Sequence, residues 1–238
     1  MTSPDRNMTS YSAYYEENLY KLQNGVLNIV KELGTPFYLT GGTALSRGYY
    51  KHRYSDDLDF FVNNDSNFSK NVDRVIDELS AKGYSWDPDT EFYKTVGFYT
   101  MKIHHKDFSM GLKIDFVNDI EAHFGEIRET DFFYRTDSIR NILSNKLSAS
   151  TRFAGKDMVD IREICLHEKF SWGEIFEEVR QKEIGLDPDT VSQIIEGTPR
   201  SAFDRIKWII KPSWEQFQKD IKTISRDMLK LGENSLGE

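Results

Sequence analysis

Two aspartates, Asp57 and Asp59, stand two positions apart in the run Ser-Asp-Asp-Leu-Asp-Phe-Phe. Residues 58–62, apolar apart from Asp59, predict a strand, and side chains two apart on a strand project to the same side. Two carboxylates held that close repel each other, a cost usually tolerated where a cation lies between them. The pair therefore predicts a metal site.

A glycine turn, Gly41-Gly42-Thr43, precedes this pair and leads into a predicted helix. Such a turn exposes backbone N–H groups that suit phosphate oxygens. A phosphate-binding turn combined with a metal pair is the minimal equipment for moving a nucleotide, so the two motifs together favour that chemistry.

Residues 111–117 supply a third candidate acid. Polar and apolar side chains alternate there, so Lys113 and Asp115 share one face of a predicted strand. If this strand lies beside that of Asp59, Asp115 completes a three-carboxylate cluster suited to two Mg²⁺ ions, with Mn²⁺ as the alternative metal. Taken by itself, Asp115 fits better an exposed strand residue paired with Lys113; beside Asp57 and Asp59, the metal site is favoured.

A later helical block carries the cationic candidates Lys146 and Arg152. Helical spacing turns its apolar residues toward the core and leaves Lys146 on another face, where the ammonium could reach phosphate oxygens. Arg152, Lys156 and Asp157 follow at the junction of two predicted helices, where their charged ends can converge. The alternative is a helix hairpin with surface salt bridges.

The hydrophobic pattern predicts the elements that position these residues, and it changes from mixed α/β to all-α near residue 135. The predicted strands are 37–40, 58–62, 93–104 and 109–117. The predicted helices are 12–33, 43–51, 67–82, 138–151, 156–169, 171–184, 188–196, 199–210 and 213–231. The fold class is therefore α+β, with a core in residues 1–135 and a helical domain in residues 136–238.

Composition argues against two functions, non-specific coating of nucleic acid and association with a membrane. The net charge of −8 argues against a protein that coats nucleic acid non-specifically. No apolar run approaches the roughly 20 residues that cross a bilayer, so no membrane partner is expected. The single cysteine, Cys165, is predicted to be a buried structural thiol, and a cytoplasmic location is expected.

The motifs, in their order along the chain, resemble the AbiEii/AbiGii family of bacterial nucleotidyltransferase toxins. They are Leu39-Thr40-Gly41-Gly42-Thr43-Ala44-Leu45, His52-Arg53-Tyr54-Ser55-Asp56-Asp57-Leu58-Asp59-Phe60-Phe61, Lys113-Ile114-Asp115, Lys146-Leu147-Ser148-Ala149-Ser150-Thr151-Arg152 and Lys156-Asp157-Met158-Val159-Asp160. The resemblance implies a DNA polymerase β-like nucleotidyltransferase core, a mixed sheet with flanking helices, and a helical domain that completes the active site. It also implies a phage-defence toxin that uses a nucleoside triphosphate and is neutralised by a cognate antitoxin.

The resemblance further implies a role for individual residues. Asp57 and Asp59 would bind metal, Asp115 would be the third acid, and Asp160 would be the later acidic residue. The residues implied to contact or support the nucleotide are Gly41, Gly42, Thr43, Arg53, Ser55, Lys146 and Arg152. Transfer RNA is the preferred acceptor, by analogy with relatives.

These observations predict an enzyme that transfers a nucleoside monophosphate from a nucleoside triphosphate to an acceptor hydroxyl. Two alternatives stay open. One keeps the chemistry and changes the acceptor to a small molecule such as an antibiotic. The other is a non-catalytic module that binds a nucleotide or an antitoxin.

Overall fold

The structure, a computed structural model, describes residues 11–237. The chain divides into two compact units. The first unit combines the residues up to Ala44 with Tyr54–Glu121 and Ile127–Thr136, and the second combines Leu45–Arg53, Ala122–Glu126 and Asp137–Glu238. The chain thus passes between the units several times.

A six-stranded mixed sheet forms the centre of the first unit. Its strands are β1 (Tyr38–Thr40), β2 (Leu58–Asn63), β3 (Tyr84–Ser85), β4 (Phe92–Thr95), β5 (Phe98–His105) and β6 (Leu112–Asp119). The order is β1-β2-β6-β5-β3, with β4 also paired to β5. Only the β2–β6 pair is parallel; the other pairings in the described sheet are antiparallel.

Strict alternation divides this sheet into an apolar and a polar face, as a period of two dictates. The buried side chains on its apolar face include Phe60, Ile114 and Met101. Two amphipathic helices belong to the same unit, α1 (Tyr20–Glu32), which follows a turn of π-helix at Tyr15–Leu19, and α3 (Phe68–Ala81). Their buried residues complete the core.

The glycine turn follows β1 directly. It forms the short helix α2 (Gly41–Thr43), which continues as π-helix through Ala44–Tyr50. The sequence pattern predicted a helix here, and the helix that forms has the wider turn of a π-helix over most of its length.

The second unit is built from helices. They are α4 (Ile139–Ser148), α5 (Gly155–His167), α6 (Trp172–Lys182), α7 (Pro188–Glu196), α8 (Arg200–Asp204) and α9 (Trp214–Leu229), with a 3-10 turn at Ser150–Arg152. Cys165 lies fully buried on α5, as predicted. The fold class predicted from sequence, a mixed sheet with flanking helices followed by helices, is confirmed.

Two predicted elements were wrong in detail, and one short strand was missed. The strand predicted at 93–104 is two antiparallel strands, β4 and β5, because the chain reverses at Gly97 with a φ of +77°. The two-residue strand β3 was not predicted. The helix predicted at 199–210 ends at Asp204, and the backbone N–H of Ile209 instead donates to the His52 carbonyl at 3.0 Å.

Within residues 11–237, none of the helices is both long enough and apolar enough to span a membrane.

Candidate active site

The parallel pairing of β2 with β6 brings two of the predicted acids together. Asp59 lies directly opposite Asp115 in the register of these strands, and Asp57 immediately precedes β2. Thr100 of β5 lies opposite Asp115 on the other flank. The polar face of the sheet therefore carries two carboxylates on adjacent strands, and the charge of Asp57 acts on the same Lys113 as theirs.

Both oxygens of Asp115 are engaged by neighbouring side chains. The Thr100 hydroxyl donates to Oδ1 at 2.5 Å, and the Lys113 ammonium forms an ion pair with Oδ2. Asp115 thus has both features that the sequence left as alternatives: it is paired with Lys113, and it lies beside the strand of Asp59.

The charges of all three acids act on the Lys113 ammonium. Partial burial disfavours its ammonium, but the hydrogen bond to Asp115 and the charges of Asp115, Asp57 and Asp59 outweigh that cost, so the pKa of Lys113 is raised. One protonated amine therefore compensates part of the negative charge on this face.

Gly41 lies against the Asp59 carboxylate. Its φ is +70°, and a Cβ built on it would lie 2.3 Å from Asp59 Oδ2. Glycine is required at this position both for the backbone conformation and for the space. The turn and the acids predicted from sequence are therefore in direct contact.

Thr43 and Ser55 hold the chain that leads into the acids. The buried Thr43 hydroxyl donates to the Asp57 carbonyl. The Ser55 carbonyl accepts a hydrogen bond from Gln23 Nε2 at 3.1 Å, and the same amide donates to the Asp56 carbonyl at 3.2 Å. These hydrogen bonds hold the backbone that leads into β2.

Two supporting residues were missed from sequence, Gln23 and Tyr15. Gln23 is fully buried on α1, and the Tyr15 hydroxyl donates to the Asp56 carboxylate while its ring stacks on Tyr54 at 4.3 Å. Burial and the Asp56 hydrogen bond raise the pKa of Tyr15, so its proton stays in place. A glutamine on the apolar side of a helix was the available signal for Gln23.

The second unit contains a buried cluster of charges around Asp160, which is fully buried. His52 Nε2 lies 2.7 Å from Oδ1, and Arg53 donates to both carboxylate oxygens at 2.7 Å. Lys146 Nζ lies 2.6 Å from Oδ2. Burial opposes the charged form of Asp160, but the charges of Arg53 and Lys146 and the His52 hydrogen bond hold its pKa well below the usual range.

Asp157 extends this cluster. It accepts from Lys146 at 2.9 Å and from the Arg152 guanidinium at 2.9 Å. Burial disfavours the Lys146 ammonium, but Asp160 and Asp157 outweigh it and raise the pKa of Lys146. Lys146 is therefore buried and ion-paired, while Arg152 stays largely exposed.

The predicted site residues thus form two groups, one in each unit. Gly41, Gly42, Thr43, Ser55, Asp57, Asp59 and Asp115 belong to the first unit; Arg53, Lys146, Arg152 and Asp160 belong to the second. The oxygen donors of the first group are the kind that Mg²⁺ prefers. Within residues 11–237, however, no three acidic, histidine or cysteine side chains are gathered closely enough to hold a metal ion.

Comparison with known proteins gives a family and a fold. The family model described as "Nucleotidyl transferase AbiEii toxin, Type IV TA system" matches residues 28–228. JHP933 from Helicobacter pylori aligns with a TM-score of 0.58 at 20% identity, covering 96% of this chain and 94% of that one. A second H. pylori protein, described as a candidate nucleotidyltransferase, has a TM-score of 0.58 at 20% identity, covering 90% and 96%. No curated protein matches the sequence.

Proposed function

We propose that this chain, which belongs to the AbiEii family of nucleotidyl transferase toxins of type IV toxin–antitoxin systems, transfers a nucleoside monophosphate to an acceptor hydroxyl using Asp57, Asp59 and Asp115. The acceptor oxygen attacks the α-phosphorus of a nucleoside triphosphate, the bond to the β-phosphate oxygen breaks, and pyrophosphate leaves. The attacking hydroxyl gives up its proton to solvent water, and the electron pair of the broken P–O bond leaves with pyrophosphate.

The observation that carries this proposal is the register of two distant strands. Asp59 and Asp115 are far apart in sequence, yet β2 and β6 place them side by side with Asp57 next to them. Gly41 approaches the Asp59 carboxylate closely. Acids and a glycine turn that converge in this way suit a triphosphate whose charge is balanced by cations.

The three carboxylates would hold Mg²⁺, which lowers the pKa of an attacking hydroxyl and stabilises the pyrophosphate leaving group. The chain's own residues would act mainly by positioning. The N–H groups of the glycine turn would face phosphate oxygens. Gln23 and Thr43 would fix the backbone that carries Asp57, so that the carboxylates keep their spacing through the reaction.

We further propose an RNA acceptor, with transfer RNA preferred, and neutralisation by a cognate antitoxin protein. Membership of a type IV toxin–antitoxin family supports the antitoxin and the nucleotide substrate. The buried cluster of Lys146 and Asp160 supports the site indirectly, because it fixes Arg53 a few residues before Asp57 in the chain.

The test is transfer of label from an α-labelled nucleoside triphosphate to total cellular RNA in the presence of Mg²⁺. The Asp57→Asn, Asp59→Asn double variant should lose transfer by several orders of magnitude while its circular dichroism and melting temperature stay close to those of the parent. Asp73→Asn, an exposed acid on α3, is the matched control and should keep full activity. Parent-level transfer by the double variant would refute the assignment.

A further inference from the structure

The Lys113 side chain lies against Asp115, one of the three acids proposed to bind a cation. The Lys113 ammonium is paired with Asp115 and is under the influence of Asp57 and Asp59 as well. Its side chain is about half exposed, at 48%, whereas that of Asp115 is 15% exposed. The acid is held in the sheet, and the amine reaches it from the more open side.

Neighbours on the sheet contribute to the direction that Lys113 takes. Lys102 of β5 lies directly opposite Lys113 in the antiparallel register, and like charges opposite each other repel. Attraction by Asp115 decides the direction, because the Lys113 ammonium is paired with that carboxylate. The Thr100 hydroxyl on the other oxygen of Asp115 keeps that carboxylate turned toward the same face.

We propose that Lys113 is an internal counter-ion of the acid cluster, which neutralises Asp115 in the absence of metal and must leave it before a divalent cation can bind. Lys113 is a positioning residue that sets the cation affinity of the site. The inference rests on the proposed function, because it presupposes that Asp57, Asp59 and Asp115 take up a cation.

Physical chemistry permits the exchange. A lysine ammonium is a single charge on a flexible four-carbon stem, whereas Mg²⁺ or Mn²⁺ brings two charges and binds several carboxylate oxygens at once. Lys113 can swing toward solvent because half of its side chain is already exposed.

The experiment compares Lys113→Met with the matched control Lys102→Met by titrating the purified full chain with Mn²⁺, followed by electron paramagnetic resonance and by calorimetry. Lys113→Met removes the competing charge, so Mn²⁺ should bind about tenfold more tightly than to the parent. Lys102→Met removes an equal charge that has no carboxylate contact among those described, so its affinity should change far less. Lys113→Arg keeps the positive charge and should bind no more tightly than the parent.

Thermal unfolding supplies a second readout. In the presence of a chelator, Lys113→Met should melt below Lys102→Met, because Asp115 then loses its ion pair with Lys113. Saturating Mn²⁺ should reverse this order, since a ligand that binds only the folded state raises its stability.

Equal Mn²⁺ affinity in the parent and in Lys113→Met would overturn the inference and leave the proposed function standing. Absence of Mn²⁺ binding from all four proteins would overturn both. An equal gain in Lys102→Met would show that overall charge, and not the contact with Asp115, sets the affinity, and would also overturn the inference.

Discussion

Single residues determine how closely the turn and the acids approach. Gly41 has a positive φ and leaves no room for a Cβ beside Asp59. Gly34, at the end of α1, has a φ of +60° and no atom within 4 Å of the Cβ position. The two glycines share the backbone conformation and differ only in their surroundings. Comparing substitutions at the two positions therefore distinguishes the effect of backbone strain from that of the contact with Asp59.

Gly41→Ala and Gly34→Ala should therefore have different consequences. Each should lower the free energy of unfolding by roughly 1–2 kcal/mol, because alanine is strained at positive φ. Gly41→Ala should in addition lower the transfer rate by about a hundredfold, because the new methyl group displaces the Asp59 carboxylate. Chemical denaturation and label transfer measure the two effects. Equal activity of the two variants would show that the contact with Asp59 does not matter for transfer.

Asp160 is the other residue whose substitution should have a large effect, here on the free energy of unfolding. Its carboxylate is the shared partner of His52, Arg53 and Lys146, all of them buried. Asp160→Asn should cost about 3–5 kcal/mol of unfolding free energy, because it leaves buried positive charges without compensation. Asp204→Asn, which breaks exposed pairs with Arg200 and Lys211, should cost no more than about 1 kcal/mol.

The same carboxylate predicts a pH dependence. The folded-state pKa of Asp160 lies well below its usual value, which is about 3.9 in the unfolded chain. Its contribution to stability is therefore complete above that pH and is lost as the pH falls toward the folded-state pKa. The free energy of unfolding, measured by chemical denaturation at successive pH values from about pH 6 downward, should fall less steeply for Asp160→Asn than for the parent. Parallel curves would exclude Asp160 as a source of acid lability.

At the scale of elements, helix α1 supports the strand that carries the metal candidates. Gln23 makes this connection through two backbone carbonyls ahead of β2. Gln23→Leu keeps the volume but removes the side-chain amide that donates to both carbonyls, which should cost about 1–3 kcal/mol and lower transfer as the strand entrance loosens. Lys21→Leu, on the exposed side of the same helix, should stay within about 0.5 kcal/mol of the parent.

Elements with a clear period were predictable, and those defined by tertiary contacts were not. The alternation around Asp59 and Asp115 gave the correct faces of β2 and β6, because a period of two admits one division into faces. The burial of Lys146 was not predictable, because helical spacing cannot show that two acids on α5 will receive its ammonium inside the unit. The chain reversal at Gly97 was not predicted, because this glycine lies within a run of residues that favour strands.

At the scale of the molecule, the units do not follow the order of the chain. The predicted boundary near residue 135 lies close to the change at Thr136, but Leu45–Arg53 and Ala122–Glu126 also belong with the helices. Sequence patterns average over neighbouring residues, so they cannot assign a short segment to a distant partner. The proposed site likewise draws its residues from well-separated parts of the chain.

A fragment that begins at Asp137 should therefore not fold as the helical unit does. It lacks His52 and Arg53, which supply three of the contacts to Asp160, and the backbone partner of Ile209. Circular dichroism should show reduced helicity and no cooperative thermal transition near that of the full chain. A fragment that melted cooperatively at the parent temperature would show that residues 137–238 are self-sufficient.

The buried thiol of Cys165 allows the opening of the helical unit to be measured chemically. It is the single cysteine, it lies inside the helical unit, and burial raises its pKa. An alkylating reagent needs the exposed thiolate, so labelling should proceed only as fast as the helices around Cys165 open. The rate at which one mass increment appears thus reports the opening of that unit without any engineered probe.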